Sequence, residues 1–172
     1  YMTEEIIIVN ERDEIQGYCS KEAAHQKGLL HRAFSVFIVS DSRMLIQRRA
    51  LNKYHSGGLW ANACCSHPRK GEDLETAVER RLLEELGIKM LDAKELFSFV
   101  YRHEFHEELF EYEYDHVFLG IYQGEVKLNP EEIAEVRWAD LKELKNALKK
   151  KPEDFACWFQ IAAPKVFEYL GV

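Results

Sequence analysis

Long apolar runs are missing from this 172-residue sequence. None approaches the ~20 residues that a membrane-crossing helix needs, and no secretory signal pattern opens the chain. Proline and glycine are scarce, at 4 and 9 residues, and nowhere gather into a linker or a low-complexity stretch. There is no internal repeat. One domain over residues 1–172 is therefore expected, with Tyr1, ahead of Met2, left over from expression. Only Cys19, Cys64, Cys65 and Cys157 carry thiols. Their spacing offers no disulfide framework, and adjacent cysteines make poor bridge partners. A reducing, cytoplasmic home is expected. Lys and Arg, 23 in all, are outnumbered by 30 Asp and Glu, so the net charge is -7. That balance argues against a nucleic-acid partner and reads the short basic clusters as local anion sites.

What is present is a globular pattern, 47% hydrophobic. Residues 5–9 read as a strand, and Asp13 to Gly17 as a turn region. Ser20 caps a short helix to about His25. Residues 33–39 and 44–49 read as a hairpin joined at Ser40 to Arg43, with a short strand near 59–64. Gly71 precedes a helix over 72–86 that stops at Gly87. Strands follow near 95–101, 111–122 and 135–138. Helices end the chain at 140–150 and 153–170, the last kinked or divided at Pro164. This order predicts a mixed sheet with helices packed on its faces, an α/β (α+β) architecture.

The helix 72–86 carries an apolar stripe of Leu74, Ala77, Val78, Leu82 and Leu86, with Arg81 and Glu85 inside it. A charge buried without a partner is costly. The plain explanation is an i,i+4 ion pair, worth about 0.2–0.5 kcal/mol. The sharper one, which we favour, is a polar site in which Glu85 takes a metal and Arg81 an anion. In the strand 111–119, alternation points Glu111 and Glu113 the same way. Two neighbouring carboxylates repel unless they share a cation or a proton. A solvated edge would also tolerate them, but the same face continues into Val117 and Leu119.

Asn62 to Pro68 brings Cys64, Cys65 and His67 together between strand and helix. Thiol and imidazole serve equally as soft metal ligands or as a nucleophile–base pair. Cys64 alone reads as an ordinary buried cysteine. His25 and His31 are too irregularly spaced for a zinc finger. His103 and His106 read as solvated residues of a hairpin loop, with metal binding as their minor reading. Arg48, Arg49 and Lys53, with Lys21 and Arg81, are suited to hold a diphosphate, although a solvated hairpin end explains the first three as well. Trp158, read alone, belongs to a core.

Ser66 to Ile88 resembles a degenerate Nudix box, G, five residues, E, seven residues, R-E-U-x-E-E-x-G-U, with U aliphatic. Glu72, Arg80, Leu82, Glu84, Glu85, Gly87 and Ile88 match in register. Ser66 replaces the first glycine. Arg81 replaces a glutamate that Nudix hydrolases use for metal. These departures resemble those of the type 1 isopentenyl-diphosphate isomerases, as do Arg48-Arg49-Ala50, Gly58-Leu59-Trp60-Ala61-Asn62 and Cys64-Cys65-Ser66-His67-Pro68. The resemblance runs from about Glu5 to Trp158. Gly57 and Ala61, where many members have proline and threonine, are its minor departures.

The resemblance implies a Nudix-type mixed β-sheet sandwich flanked by helices, and an enzyme acting on a small allylic or homoallylic diphosphate. It implies that His25, His31, His67, Glu111 and Glu113 hold a divalent metal (Mn²⁺, Zn²⁺ or Mg²⁺), and that Glu85 holds a Mg²⁺ arriving with the diphosphate. Cys65 and Glu113 are implied as the two acid/base groups, Tyr101 as the neighbour of Glu113, and Trp158 as an aromatic wall. Lys21, Arg49, Lys53 and Arg81 are implied as the diphosphate clamp. A monomer is expected, a dimer being the alternative. The rival readings are a Nudix hydrolase of a nucleoside diphosphate derivative and a non-enzymatic binding protein on the same scaffold.

Overall fold

The computed structural model describes residues 4–51, 56–89, 92–106 and 109–172. Its order is β1 (Glu5–Val9), β2 (Ile15–Ser20), α1 (Lys21–Lys27), β3 (His31–Ser40), β4 (Arg43–Arg49), β5 (Trp60–Asn62), β6 (Cys64–Ser66), α2 (Leu74–Leu86), β7 (Ala93–His106), β8 (Leu109–Ile121), β9 (Ile133–Asp140), α3 (Leu141–Lys150), a 3-10 turn (Pro152–Asp154) and α4 (Cys157–Tyr169).

The sheet is organised by β3. Its sequence, HRAFSVFIVS, is rich in branched and aromatic residues and is buried almost throughout. A strand covered on both faces carries such a run instead of alternating. It pairs antiparallel with β1, β4 and β6, and parallel with β8. β7 continues from β8, and β9 from β4. The mixed sheet separates two cores. Phe37, Val117, Leu144, Phe159 and Phe167 lie on the face covered by α3 and α4. Phe34, Val36, Ile38, Leu82 and Leu86 lie on the face covered by α2. This is the expected helix-flanked sandwich. No helix among the described residues is long and apolar enough to cross a membrane.

Local signals set the ends of α2. The Asp73 side chain accepts from the Thr76 amide at 2.8 Å, capping the first turn. Gly87 closes the helix at φ +66, a left-handed conformation that glycine adopts without penalty. Glu72 braces the N-terminal end, accepting from the Arg69 amide at 3.0 Å and from Arg80 Nε and Nη2 at 2.9 Å each.

The structure differs from expectation in three places. Residues 13–17 are not all turn. Asn10 Oδ1 accepts from the amides of Arg12 and Glu14, which tightens the turn ahead of Ile15 and leaves 15–20 free to form β2. His103 and His106 stand within β7, not in a loop, because β7 stays paired with β8 along its length. The last helical region divides not at Pro164, which lies inside α4, but at Phe155 and Ala156. Both of those are extended, and the Ala156 amide donates to the Trp60 carbonyl at 2.9 Å.

Candidate active site

Sheet register assembles one polar cluster from remote positions. The parallel β3–β8 ladder sets His31 opposite Glu113, and the β7–β8 ladder sets Tyr101 opposite Glu113. The β3–β6 ladder sets Cys65 opposite Ser35 and carries His67 just past the end of β6. Cβ atoms alternate along a strand. Cys64 therefore enters the core under α2 at 0% exposure, while Cys65 turns the other way into the cavity. The ordinary reading of Cys64 holds for its burial. Its thiol nevertheless also donates to Glu85 Oε2 at 3.2 Å.

The histidines converge on Glu113. His67 Nε2 lies 2.9 Å from Glu113 Oε2, His31 Nε2 lies 3.3 Å from the same oxygen, and the two Nε2 atoms are 3.2 Å apart. His25 Nε2 is 3.8 Å from Glu111 Oε2. The other ring nitrogens fix the tautomers. His25 Nδ1 faces the Lys21 carbonyl at 2.7 Å and His31 Nδ1 faces the Leu29 carbonyl at 2.9 Å. A carbonyl only accepts, so both Nδ1 atoms carry protons and both Nε2 atoms face the cluster, where, unprotonated, they would offer lone pairs to a cation. Ligand atoms of His25, His31 and Glu113 all lie within 4.8 Å of one another. Histidine ligands of metals are held this way, with the second nitrogen donating to a carbonyl or carboxylate. This donor set fits a divalent cation.

Electrostatics give the same account. Burial alone would raise Glu113, but hydrogen bonds from His31 and His67 outweigh it and hold the carboxyl well below the usual range. Burial works to lower His31, yet the bond to Glu113 leaves it raised. Burial brings His67 down to about 4. The shifts of Glu113 and His31 both favour a positive charge beside this carboxylate. The Tyr101 hydroxyl, with one proton to give, lies 2.6 Å from Glu113 Oε1 and also meets Glu111. Burial and the two neighbouring carboxylates push this phenol well above its ordinary value.

Beside this cluster lies a cavity of about 60 Å³, lined by Lys21, Arg49, Cys65, Arg81, Glu85 and Trp158 together with Glu111, Glu113 and His67. Of the expected site residues, Lys53 alone lies outside the described residues. Arg49 Cζ stands 5.2 Å from the centroid of the Trp158 ring, so this indole already turns a face to a cation. Arg49 Nε is buried with no hydrogen-bond partner among the described residues, a donor suited to an anion. Arg81 does form the i,i+4 pair with Glu85, at 3.1 Å. It also meets Glu84 at 2.7 Å and Glu132 at 3.7 Å.

Four residues of this neighbourhood escaped the sequence reading. Asp115 follows Glu111 and Glu113 on the same alternation. It is buried, accepts from Ser35 Oγ at 2.8 Å, and is pushed well above the usual carboxylate range by burial and by Glu113. The period-two signal that selects the two glutamates also reaches Asp115. Ser35 carried no mark within its apolar strand, and Asn62 appeared only as part of a motif. Glu132, in a loop, had no signal at all.

A NUDIX domain model matches residues 29–159. A crystal structure of a Deinococcus radiodurans protein, 24% identical, aligns with a TM-score of 0.69 over 86% of this chain and 90% of its own. The MutT protein of Methanosarcina mazei aligns at 0.57 over 68% of this chain and 81% of its own, at 22% identity. Fold and domain match make this a Nudix-domain protein. The isopentenyl-diphosphate Delta-isomerase 2 of Aromatoleum aromaticum is 48% identical over 166 residues, covering 96% of this chain and 87% of that protein. The isopentenyl-diphosphate Delta-isomerase of Burkholderia multivorans is 45% identical, covering 92% of this chain and 90% of that protein. Within the Nudix superfamily, the chain belongs to the isopentenyl-diphosphate Delta-isomerases, a family of enzymes.

Proposed function

We propose that this protein interconverts isopentenyl diphosphate and dimethylallyl diphosphate, acting as one catalytic domain in the cytoplasm. The observation that carries the reading is that Cys65, Glu113 and Trp158 line a single cavity beside the histidine cluster. The reaction protonates the terminal alkene carbon, giving a tertiary carbocation. It then removes a proton from the methylene on the other side of the cation centre, so the double bond moves and no atom is lost. One residue must deliver a proton and another must accept one.

Cys65 and Glu113 suit these roles in their resting states. Burial, with Asp115 nearby, raises the Cys65 thiol and keeps the proton on sulfur. The Glu113 carboxyl is held ionised. The pair therefore starts as acid plus base, and the reverse reaction exchanges the roles. Tyr101 steadies the Glu113 carboxylate through its hydroxyl. The Trp158 face stabilises the cation by about 2 kcal/mol in a dry site. Exclusion of water keeps that cation from being hydrated to an alcohol.

A divalent metal at His25, His31, His67, Glu111 and Glu113 (Mn²⁺, Zn²⁺ or Mg²⁺) would fix the geometry of Glu113 and tune its proton affinity. Glu85 would hold a Mg²⁺ that neutralises the diphosphate. Lys21, Arg49, Lys53 and Arg81 bind that diphosphate, which anchors the substrate without taking part in bond breaking. Arg81 shares its charge among three carboxylates, so a diphosphate competes with them for its guanidinium fork.

The test is to incubate metal-loaded protein with isopentenyl diphosphate in D₂O. Deuterium-labelled dimethylallyl product is expected. Phosphate release from nucleoside diphosphate derivatives, with no labelled product, would favour the hydrolase instead. We also expect Arg81→Glu to raise KM roughly 10- to 100-fold, the equivalent of losing a charge-assisted hydrogen bond. An unchanged KM removes Arg81 from the clamp.

A further inference from the structure

The geometry points to Asn62 as a positioning residue that hangs the Cys65 thiol and the Trp158 indole from one oxygen atom. Asn62 ends β5 and is fully buried. Its Nδ2 donates to the Val36 carbonyl at 3.0 Å and to the Cys64 carbonyl at 2.9 Å. Both partners only accept, so the amide cannot be turned over without setting oxygen against oxygen. Oδ1 is thereby fixed on the opposite side. There it accepts from Trp158 Nε1–H at 3.1 Å and from Cys65 Sγ–H at 3.2 Å. An indole nitrogen only donates, which independently requires the same orientation. Both donor hydrogens and both acceptor directions of the amide are in use.

The consequence is a shared datum. Cys65 is carried by β6 and Trp158 by α4, elements that join the site from distant parts of the sequence. Their separation would otherwise depend on how α4 settles against the sheet. With both bonded to Oδ1, the proton-bearing sulfur and the aromatic face keep a fixed relation to one another and to the reacting carbons between them. The two carbonyl anchors lie on β3 and β6, so the datum itself belongs to the sheet. Asn62 need not touch the substrate to do this.

The kinetic consequence rests on the isomerase reading; the shared oxygen does not. Asn62→Leu removes the acceptor at similar size. Its kcat is expected to fall roughly 10²-fold, the cost of a misplacement near 1 Å. Its KM should rise far less than kcat falls, because Asn62 hydrogen-bonds Val36, Cys64, Cys65 and Trp158 and not Lys21, Arg49 or Arg81. Its melting temperature provides the folding control. A KM that rises in step with the loss of kcat overturns the positioning role.

The second measurement is the Trp158 indole N–H resonance, assigned by its disappearance in Trp158→Phe. In Cys65→Ala one donor leaves the shared oxygen, the remaining bond strengthens, and the resonance moves downfield. In Asn62→Leu it moves upfield. No movement in Cys65→Ala overturns the shared oxygen, and this result decides alone should Asn62→Leu fail to fold. If the wild-type protein fails to isomerise, the functional reading falls while the resonance test still stands.

Discussion

Cys65→Ala is expected to lose turnover by about 10³-fold or more in kcat while keeping its fold, its metal and its KM. The size follows from the role: a positioned proton donor contributes ~10²–10⁴ to a rate, and an unactivated alkene takes no proton from an alanine methyl. The preserved fold follows from the site. Cys65 is half-buried at the rim of a cavity, and among the described residues its Sγ meets Asn62 and the neighbouring Ser35. Cys65 packs only at the margin of the core under α3 and α4 and takes no part in the core under α2, so truncating it opens space mainly toward an existing cavity. Neither the histidines nor the two glutamates lose a partner, so bound metal should match wild type. Steady-state kinetics, melting temperature and metal content of purified protein check this together. Turnover near the wild-type rate would remove sulfur from the chemistry and leave Glu113 without its counterpart.

The contrast between Cys64 and Cys65 shows what a sequence can and cannot tell. Strand alternation alone puts two adjacent thiols on opposite faces, but it does not say which face holds the site. The partner strand decides that. Cys65 stands opposite Ser35, and β3 also sets His31 opposite Glu113. Glu111 and Glu113 were legible as a same-face pair because alternation is local. So were Arg81 and Glu85, because helical periodicity is local. His31 and Glu113 are 82 positions apart and meet only through a parallel register, which no local pattern encodes. Only the family resemblance gathered His25, His31 and His67, and these three rings now lie within 4.8–6.1 Å of one another, centroid to centroid. The missed strand β2 has a similar cause. Its start depends on Asn10 closing the turn early, a side-chain effect that composition does not announce.

Glu113→Gln should differ from Cys65→Ala by losing the metal as well as the reaction. The side chain keeps its size, but Oε2 no longer offers His31 and His67 a charge. Even partners of metal ligands cost ~10–100-fold in affinity when mutated, so Glu113, as a proposed ligand, should cost at least that. The pH response separates the cases further. His31 is raised because its bond and its attraction to Glu113 overcome burial. A group raised on folding stabilises the protein fully below its unfolded value, about 6.5 for histidine, and that contribution is lost as pH climbs through the folded value. Glu113 is depressed, so its contribution is present above the ordinary glutamate range and lost as pH falls through its folded value. The charged pair is thus intact between these limits, bounded below by Glu113 and above by His31. Metal works in the opposite direction, because it needs the lone pair that the His31 proton occupies. As pH rises from about 6.5, the unfolded histidine value, through the raised folded value of His31, EDTA-treated protein should lose stability from this pair while loaded protein gains, so their melting temperatures diverge. In Glu113→Gln both trends should flatten, since the group that raises His31 is gone. Equal pH responses for loaded and stripped wild-type protein would mean that no cation shares this carboxylate with the histidines.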